Sequence, residues 1–578
     1  MARPTIDPSV LASLTAAVPG RLLRTLDATP DLAEAWTWTS EGDTWSVATD
    51  GEAVVRVAGA HVAAPSQVTC GCLLAPRCLH ALAVATRLPL GVAAHDEAVE
   101  SAPDAPLEAG AVALDAAQVA AAAHLGSIAA EILAAGATSV GAVRQAELLR
   151  ALHACRASGL HRAATAAVAV ARGVQGARGR RPTVRADDLA ASTHALLRVT
   201  AALTAPGPIS PTFIGRARRA FAPLAGRRLY GLFCEPVLTA SGHAGVVTWL
   251  ADASGNLFRL SDVMQGGAAR VAAAYAGETQ FGEVRLTHRA LCRAGLLLQR
   301  GSCSADGRLG GGASVEAVAN GACAWDAPPL AALWAEPLTA QLRRALDAET
   351  DLEAAAPGAD LVFLRGHVLG AEADALVLDI GGLTVHCTVS HPDPTLDQRG
   401  ALRRLASAPG LSLRVILRPD RARTRTAALL AFGPADDGLR LPERWGDRAH
   451  PGLESLQGAM LPAATPSGPP LSLRRAPPAA DPLDPLRRRL YRVPLGGRAT
   501  IPAEAADEIA RDVARLERDH FPAIGAALRA VAVTAAAAPR GPWGTREVPD
   551  AATLARAWTL AMTALEAAAA TLRRDGWG

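Results

Sequence analysis

Apolar positions recur at helical spacing through the first third of the chain, alternate through the middle, and return to helical spacing at the end. Pro8 to Leu26 carries two short helical pieces, with Val10, Leu11 and Leu14 in one and Leu22, Leu23 and Leu26 in the other. Pro19-Gly20 breaks them apart. Thr44 to Thr49 and Ala53 to Val57 flank Asp50-Gly51, a two-residue hairpin signal. Leu79, Leu82, Ala83 and Thr86 then form the inner face of a short helix that Pro89 ends. Trp36, Trp38 and Trp45 are expected to pack this small N-terminal module, residues 1–90.

Residues 91–112 lack periodicity and are expected as a linker. Four helices follow in a helical domain, 113–205. The first opens on Asp115 and Gln118, a capping-box pair, and runs to about Ala135. The second carries Val143, Leu148, Leu149 and Leu152; the third runs from about Leu160 to Arg172; the fourth starts near Asp187. Gly173 to Arg185 is expected as a loop. A bundle or short solenoid buries these faces.

From Arg227 the period changes to two. Residues 226–330 are expected as a β-rich domain, with strands at Tyr230 to Leu238, Ala244 to Ala251, Asn256 to Leu260 and Leu296 to Cys303. The pattern recurs at 358–433, as three strands, the short helix Leu402 to Ser407, and two more strands. That is the element order of an OB-like barrel, so one or two such barrels are expected. Residues 434–482 are Pro- and Gly-rich and are expected as a linker. In 483–578, Pro502 to Ala537 and Ala551 to Arg574 are expected to form an antiparallel helical hairpin. The fold class is α+β and multidomain: a small ββα metal module, a helical bundle, OB-like barrels and a C-terminal hairpin.

Composition narrows the chemistry. The chain has 578 residues and no lysine; all 58 basic residues are arginine, as a GC-rich, alanine-heavy coding background produces. A phosphate-binding loop of the G-x-x-x-x-G-K-[ST] kind and lysine-based catalysis are therefore excluded. A net charge of +3 announces no nucleic-acid partner. Met1 to Val10 has no apolar export segment, and the apolar stretch Ala116 to Ala137 is interrupted by Gln118, His124 and Glu131. A cytoplasmic, reduced protein without a membrane span is expected, so its nine cysteines are thiols or metal ligands.

Three of those cysteines are close together, in Cys70-Gly71-Cys72 and Cys78-Leu79-His80. On an extended segment Cys70 and Cys72 point to one side, and Gly71 permits a tight turn. Cys78 is placed in the turn after Pro76, and His80 in the first turn of the following helix. Three thiolates and an imidazole make a closed tetrahedral set, which marks one structural Zn2+ rather than a catalytic one. Arg77 and the helix N-terminus are placed to offset its net negative charge. The bland alternative is four unrelated residues in a small buried hairpin. His61 stands as a substitute ligand outside the compact pattern.

C-x-C, a short spacer, then C-x-H resembles the signature of the SWIM-type zinc finger, with Cys70, Cys72, Cys78 and His80 on its ligand positions. A hairpin before and the helix of Cys78 to Ala85 after it agree. The resemblance covers about residues 45–90. It implies a binding module for protein or DNA, in bacteria associated with Swi/Snf-type or MoxR-type AAA ATPase systems.

No metalloprotease, nucleophile-elbow or dinucleotide motif is present. The glycine-rich run Asp306 to Gly312 is expected as a hairpin loop, and the pairs His153/Cys155 and His386/Cys387 as core or surface residues. Arginines cluster at 216–228, at Arg418, Arg421, Arg423 and Arg425, and at Arg487, Arg488, Arg489 and Arg492. The second cluster lies between two expected barrel strands, where nucleic-acid contacts occur, although aromatics for base stacking are scarce there. Two functions are therefore weighed ahead of a third, an enzyme built around the glycine-rich run Asp306 to Gly312. One is a non-enzymatic zinc-binding protein that recruits a protein partner, in an ATPase-linked assembly. The other is a DNA- or RNA-binding protein using the finger and the arginine-rich barrel loops.

Overall fold

The computed structural model describes residues 3–91, 111–181, 184–216, 221–239, 242–279, 281–311, 315–347, 356–420, 423–462, 481–502, 505–536 and 550–577. The chain divides into two compact units. Unit 1 takes residues 1–99, 107–218 and 477–568; unit 2 takes 219–476, the short stretch 100–106 and the last residues from 569.

In unit 1 the chain begins with β1 (Thr5–Ile6), α1 (Pro8–Ala17) and α2 (Gly20–Ala28). Four strands follow in an antiparallel sheet: β2 (Thr37–Glu41), β3 (Thr44–Ala48), β4 (Val54–Ala58) and β6 (Val68–Cys70), ordered β2-β3-β4-β6. β5 (His61–Val62) pairs instead with β1. The small module is thus a four-stranded sheet plus α3 (Leu79–Arg87), not ββα. Every residue of α3 from Ala81 to Arg87 is buried. The expected one-sided face is replaced because α1, α2 and the 3-10 turn Leu32–Glu34 cover the side away from β4 and β6.

Helices α4 (Ala116–Ala135), α5 (Ala142–Ala157), α6 (His161–Arg178) and α7 (Ala186–Leu203) form a ring in which each packs on two others. Asp115 and Gln118 close the expected capping box on α4. Among the described residues α4 is the one helix long and apolar enough to cross a membrane. Its Leu125, Ile128, Ile132 and Leu133 are buried in the bundle. α6 runs to Arg178, through half of the expected loop, because its last turns bind the N-terminal module. Gln175 Nε2 donates to the Thr86 and Leu88 carbonyls at 2.8 and 2.9 Å, and Arg178 pairs with Asp27 at 2.6 Å. These contacts join residues 1–90 to the bundle in one core, so the two expected domains are not separate. The expected linker 91–112 lies almost entirely outside the described residues.

Unit 2 opens with a five-stranded antiparallel sheet, β7 (Phe221–Leu238), β8 (His243–Asp252), β9 (Leu257–Gln265), β10 (Gly295–Ser304) and β11 (Glu316–Asn320), ordered β11-β10-β7-β8-β9. This first β region is an open sheet and not a barrel, since β9 and β11 remain its edges. Helices α8 (Ala268–Ala276) and α9 (His288–Leu291) pack on it, and α10 (Leu338–Asp347) leads to the second region. There β12 (Val362–Glu372), β13 (Ala375–Ile380), β14 (Leu383–Thr388), β15 (Ser412–Pro419) and β16 (Thr426–Pro434) close into a barrel, β12-β13-β14-β16-β15, with α11 (Gln398–Ala406) between β14 and β15. Alternate residues such as Val362, Leu364, Leu376, Leu378, Val415 and Leu429 fill its core.

The expected linker 434–482 is folded in its first part. Leu439, Trp445, Ala449 and Leu456 join the barrel core. Arg448, 1% exposed, donates to the carbonyls of Gly231, Leu232, Cys292 and Cys323. Pro and Gly content misled here, because the stretch is tied down by distant partners: Arg448 reaches carbonyls far away in sequence, and Arg293 in turn donates to the Trp445 and Arg448 carbonyls.

Back in unit 1, α12 (Asp484–Gly496) packs on α4 and α7. The expected helix 502–537 is two, α13 (Ala506–Arg518) and α14 (Pro522–Ala536), packed on each other. His520 is left-handed (φ 67°), Phe521 N donates to Leu516 O and His520 N to Glu517 O, a Schellman stop that Pro522 enforces. The hairpin therefore lies between α13 and α14. α15 (Ala551–Trp577) instead binds α7 and α12: His194 contacts Glu566 and Thr563, and Trp558 Nε1 donates to Leu490 O.

Candidate metal centre

β6 ends at Cys70, paired across from Val55 of β4. Gly71 N donates to Val54 O, the last ladder-like bond before the chain turns away. Ala75 N then donates to Cys72 O, closing a turn that presents Leu73 and Leu74 to solvent. Cys78 is the N-cap of α3, and Ala81 N donates to its Sγ at 3.4 Å. His80 follows in the first turn, with its ring edge-on to the buried Trp36 at 5.7 Å.

The Sγ atoms of Cys70, Cys72 and Cys78 and a ring nitrogen of His80 all lie within 4.8 Å of one another. This set can hold one metal ion. A tetrahedral ion with sulfur bonds of about 2.3 Å and nitrogen bonds of about 2.0 Å needs ligand edges of roughly 3.5–3.8 Å. Cys70 Sγ and His80 Nδ1 are 3.9 Å apart, close to such an edge, and the remaining pairs need to close by at most about 1 Å.

Without an ion the sulfurs are unequal. Burial pushes the Cys70 thiol up to about 12 and raises Cys78. Cys72 is lowered to about 7: burial opposes this, but the His80 hydrogen bond and the Leu74 backbone N–H outweigh it. A cation would deprotonate all three. The Ala81 N–H on Cys78 supplies one offset to the resulting negative charge, whereas Arg77 is exposed. His61 is not in the cluster; its Nδ1 pairs with Thr5 Oγ1 at 2.8 Å.

The far end of α3 is fixed by charge. Glu34 takes both arms of Arg3 and Nε of Arg87, each at 2.8 Å. The Arg3 hydrogen bonds hold its carboxyl down at about 2, with burial opposing and Arg87 adding to the effect.

The barrel arginines are dispersed in role. Arg418 is engaged by two carboxylates, with Nη1 and Nη2 on Glu235 at 2.9 and 3.0 Å and Nε on Asp360 at 2.6 Å. Arg425 Nε donates to Gly576 O at 2.5 Å. Arg423 is exposed, and Arg421 lies outside the described residues. The glycine-rich run is a hairpin turn whose amides are spent internally: Gly307 N on Ser304 O, Arg308 N on Ser304 Oγ, Leu309 N on Arg259 O and Gly310 N on Ser302 O. Gly312 lies outside the described residues. His153 is exposed and Cys155 buried; His386 pairs with Glu372 at 2.8 Å and Cys387 is buried.

Two arrangements had no local signal in the sequence. In unit 2, Glu454 accepts from Tyr275 and Arg293 at 2.8 and 2.7 Å and lies 3.2 Å from His450; Tyr275 and His450 are buried, and the side chains of Glu454 and Arg293 are 3% and 11% exposed. His450 is four residues from Glu454, but Tyr275 and Arg293 are too far away in sequence for any motif to join them to it. The other is the exposure of Leu73 and Leu74, at 105% and 56%. A leucine pair between ligands would ordinarily be assigned to the core, and only the shortness of the loop argues otherwise. No family model, curated protein or solved structure matches the chain.

Proposed function

We propose that this chain is a non-enzymatic recruitment protein whose SWIM-type module, stapled by one structural zinc, docks a protein partner. The observation that carries this reading is the exposure of Leu73 and Leu74 on the loop between Cys72 and Cys78. A free loop would collapse such side chains. Here ligands at both ends hold them out, so little conformational freedom is left to lose on binding. Leu74 is already partly covered, so burying what remains exposed of both leucines is worth about 2–5 kcal/mol before the costs of association. By the family resemblance the partner is a component of an AAA or Swi/Snf-type ATPase system, and the barrel of unit 2 is OB-like.

The test is a quantitative pull-down from native lysate with the tagged full chain and its Leu73→Ser/Leu74→Ser variant. The variant is expected to keep its zinc and melting temperature while losing the stoichiometric partner. Undiminished partner recovery would overturn the proposal. The nucleic-acid alternative rests on Arg421, Arg423 and Arg425; it predicts gel shifts that weaken with salt and with their replacement by Ala.

A further inference from the structure

In unit 1 a cleft of about 460 Å³ lies between α12 and α13. Its walls carry four arginines, Arg488, Arg489, Arg492 and Arg511, and two carboxylates, Glu508 and Asp512. Both carboxylates are spent on one arginine: Arg489 Nε donates to Asp512 at 2.6 Å and Nη2 to Glu508 at 3.4 Å. Arg488 and Arg511 each give only Nε, to the carbonyl four residues back on their own helix, at 3.4 and 3.3 Å. Among the described residues neither has a carboxylate partner, and Arg492 has no hydrogen-bonding partner.

Three guanidinium groups therefore meet at one concavity with their paired Nη donors unspent among the described residues. Arg488 and Arg492 stand four apart on one helix face, where like charges repel. Such an arrangement is stabilised by an anion that bridges them. Guanidinium forks match phosphate oxygens two at a time. The volume falls in the range of small-molecule sites and exceeds what one orthophosphate fills. Among the described residues no aromatic side chain lines it to stack a base. Several oxyanion groups in a row, presented to three forks, fit best.

We infer that the α12–α13 cleft binds the di- or triphosphate chain of a small anionic ligand through Arg488, Arg492 and Arg511. This site is independent of the metal centre and of the partner reading.

The experiment is isothermal titration of the full-length, zinc-loaded protein at low ionic strength with inorganic pyrophosphate and tripolyphosphate. One molecule is expected to bind per chain, and added salt should weaken it. Arg488→Gln/Arg492→Gln/Arg511→Gln is expected to weaken binding at least tenfold. These side chains are exposed, so melting temperature and zinc content should hold, while Arg556→Gln should leave affinity unchanged. Absence of binding by both probes, or equal affinity in the triple variant, would overturn the inference. So would a short single-stranded oligonucleotide that binds through the same three arginines when tripolyphosphate does not, since that outcome makes the cleft part of a nucleic-acid face.

Discussion

Gly136, which ends α4, and Gly497, which ends α12, meet backbone to backbone. A Cβ on Gly136 would lie 2.3 Å from Gly497 N, and one on Gly497 would lie 2.4 Å from Ala134 O. Both glycines have positive φ, +83° and +63°, and Thr138 Oγ1 adds a bond to Leu495 O at 2.9 Å. Neither position tolerates a side chain in space or in conformation. Gly136→Ala and Gly497→Ala should each destabilise unit 1 by about 2–4 kcal/mol. Denaturant unfolding followed by amide exchange in α4 and α12 checks this. A loss below about 0.5 kcal/mol would show that the contact is looser than described.

Cys78 has two duties, capping α3 and facing the other ligand atoms. Cap loss alone costs about 1 kcal/mol. With zinc bound as proposed, losing it costs far more, because binding and folding of such a module are one free energy. Cys78→Ala should therefore abolish zinc retention and remove amide protection from β4, β6 and α3. Elemental analysis of the purified variant decides, and full zinc content would refute the ligand set.

Glu454 is 3% exposed in its side chain and is held by Arg293, Tyr275 and His450. Removing its charge leaves the largely enclosed Arg293 with carbonyl and hydroxyl partners but without its carboxylate. Glu454→Gln should cost unit 2 about 3–5 kcal/mol. Denaturant titration read by Trp249 and Trp325 fluorescence would measure it, and a near-neutral result would mean that water replaces the carboxylate.

His288 and His450 are 1% and 0% exposed, and burial lowers both from 6.5 to about 4. Below pH 6.5 the unfolded chain takes up protons that the folded chain refuses, so stability falls as pH drops toward 4. Each histidine contributes a loss on the order of 3 kcal/mol over that window. Glu454 extends the trend: against its burial, the His450 contact lowers it to about 2, so its stabilisation is present above 4.5 and lost below. Unfolding free energy measured from pH 7.5 to 5 should decline for unit 2. In His288→Asn the slope should be shallower; an identical slope would assign the effect elsewhere.

Much of the architecture follows from periodicity. The capping box at Asp115 and Gln118 and the strand-strand-strand-helix-strand-strand order around Gln398–Ala406 are local patterns, and the chain obeys them. The failures share a cause, which is long-range pairing. α6 extends past Gly173 because Gln175 has carbonyls of α3 to bind. Residues near Trp445 are ordered because Arg448 reaches four distant carbonyls. The first β region stays open although its element order matches the second, since closure depends on a pairing such as β14 with β16 that element order does not encode. At the metal centre the spacing of Cys70, Cys72, Cys78 and His80 was legible. The outward turn of Leu73 and Leu74 was not, because hydrophobicity alone assigns leucine to a core.

Unit 1 draws its helices from both sides of residues 219–476. During synthesis, α4 and α7 leave the ribosome long before α12 and α15 exist to cover them. The nascent bundle must wait with Gly136 and His194 unpartnered while the sheet and barrel are translated and begin to fold. A chain stalled before residue 477 would carry an incomplete bundle beside its N-terminal module, so completion of that bundle is a record that translation has passed through the whole intervening sequence.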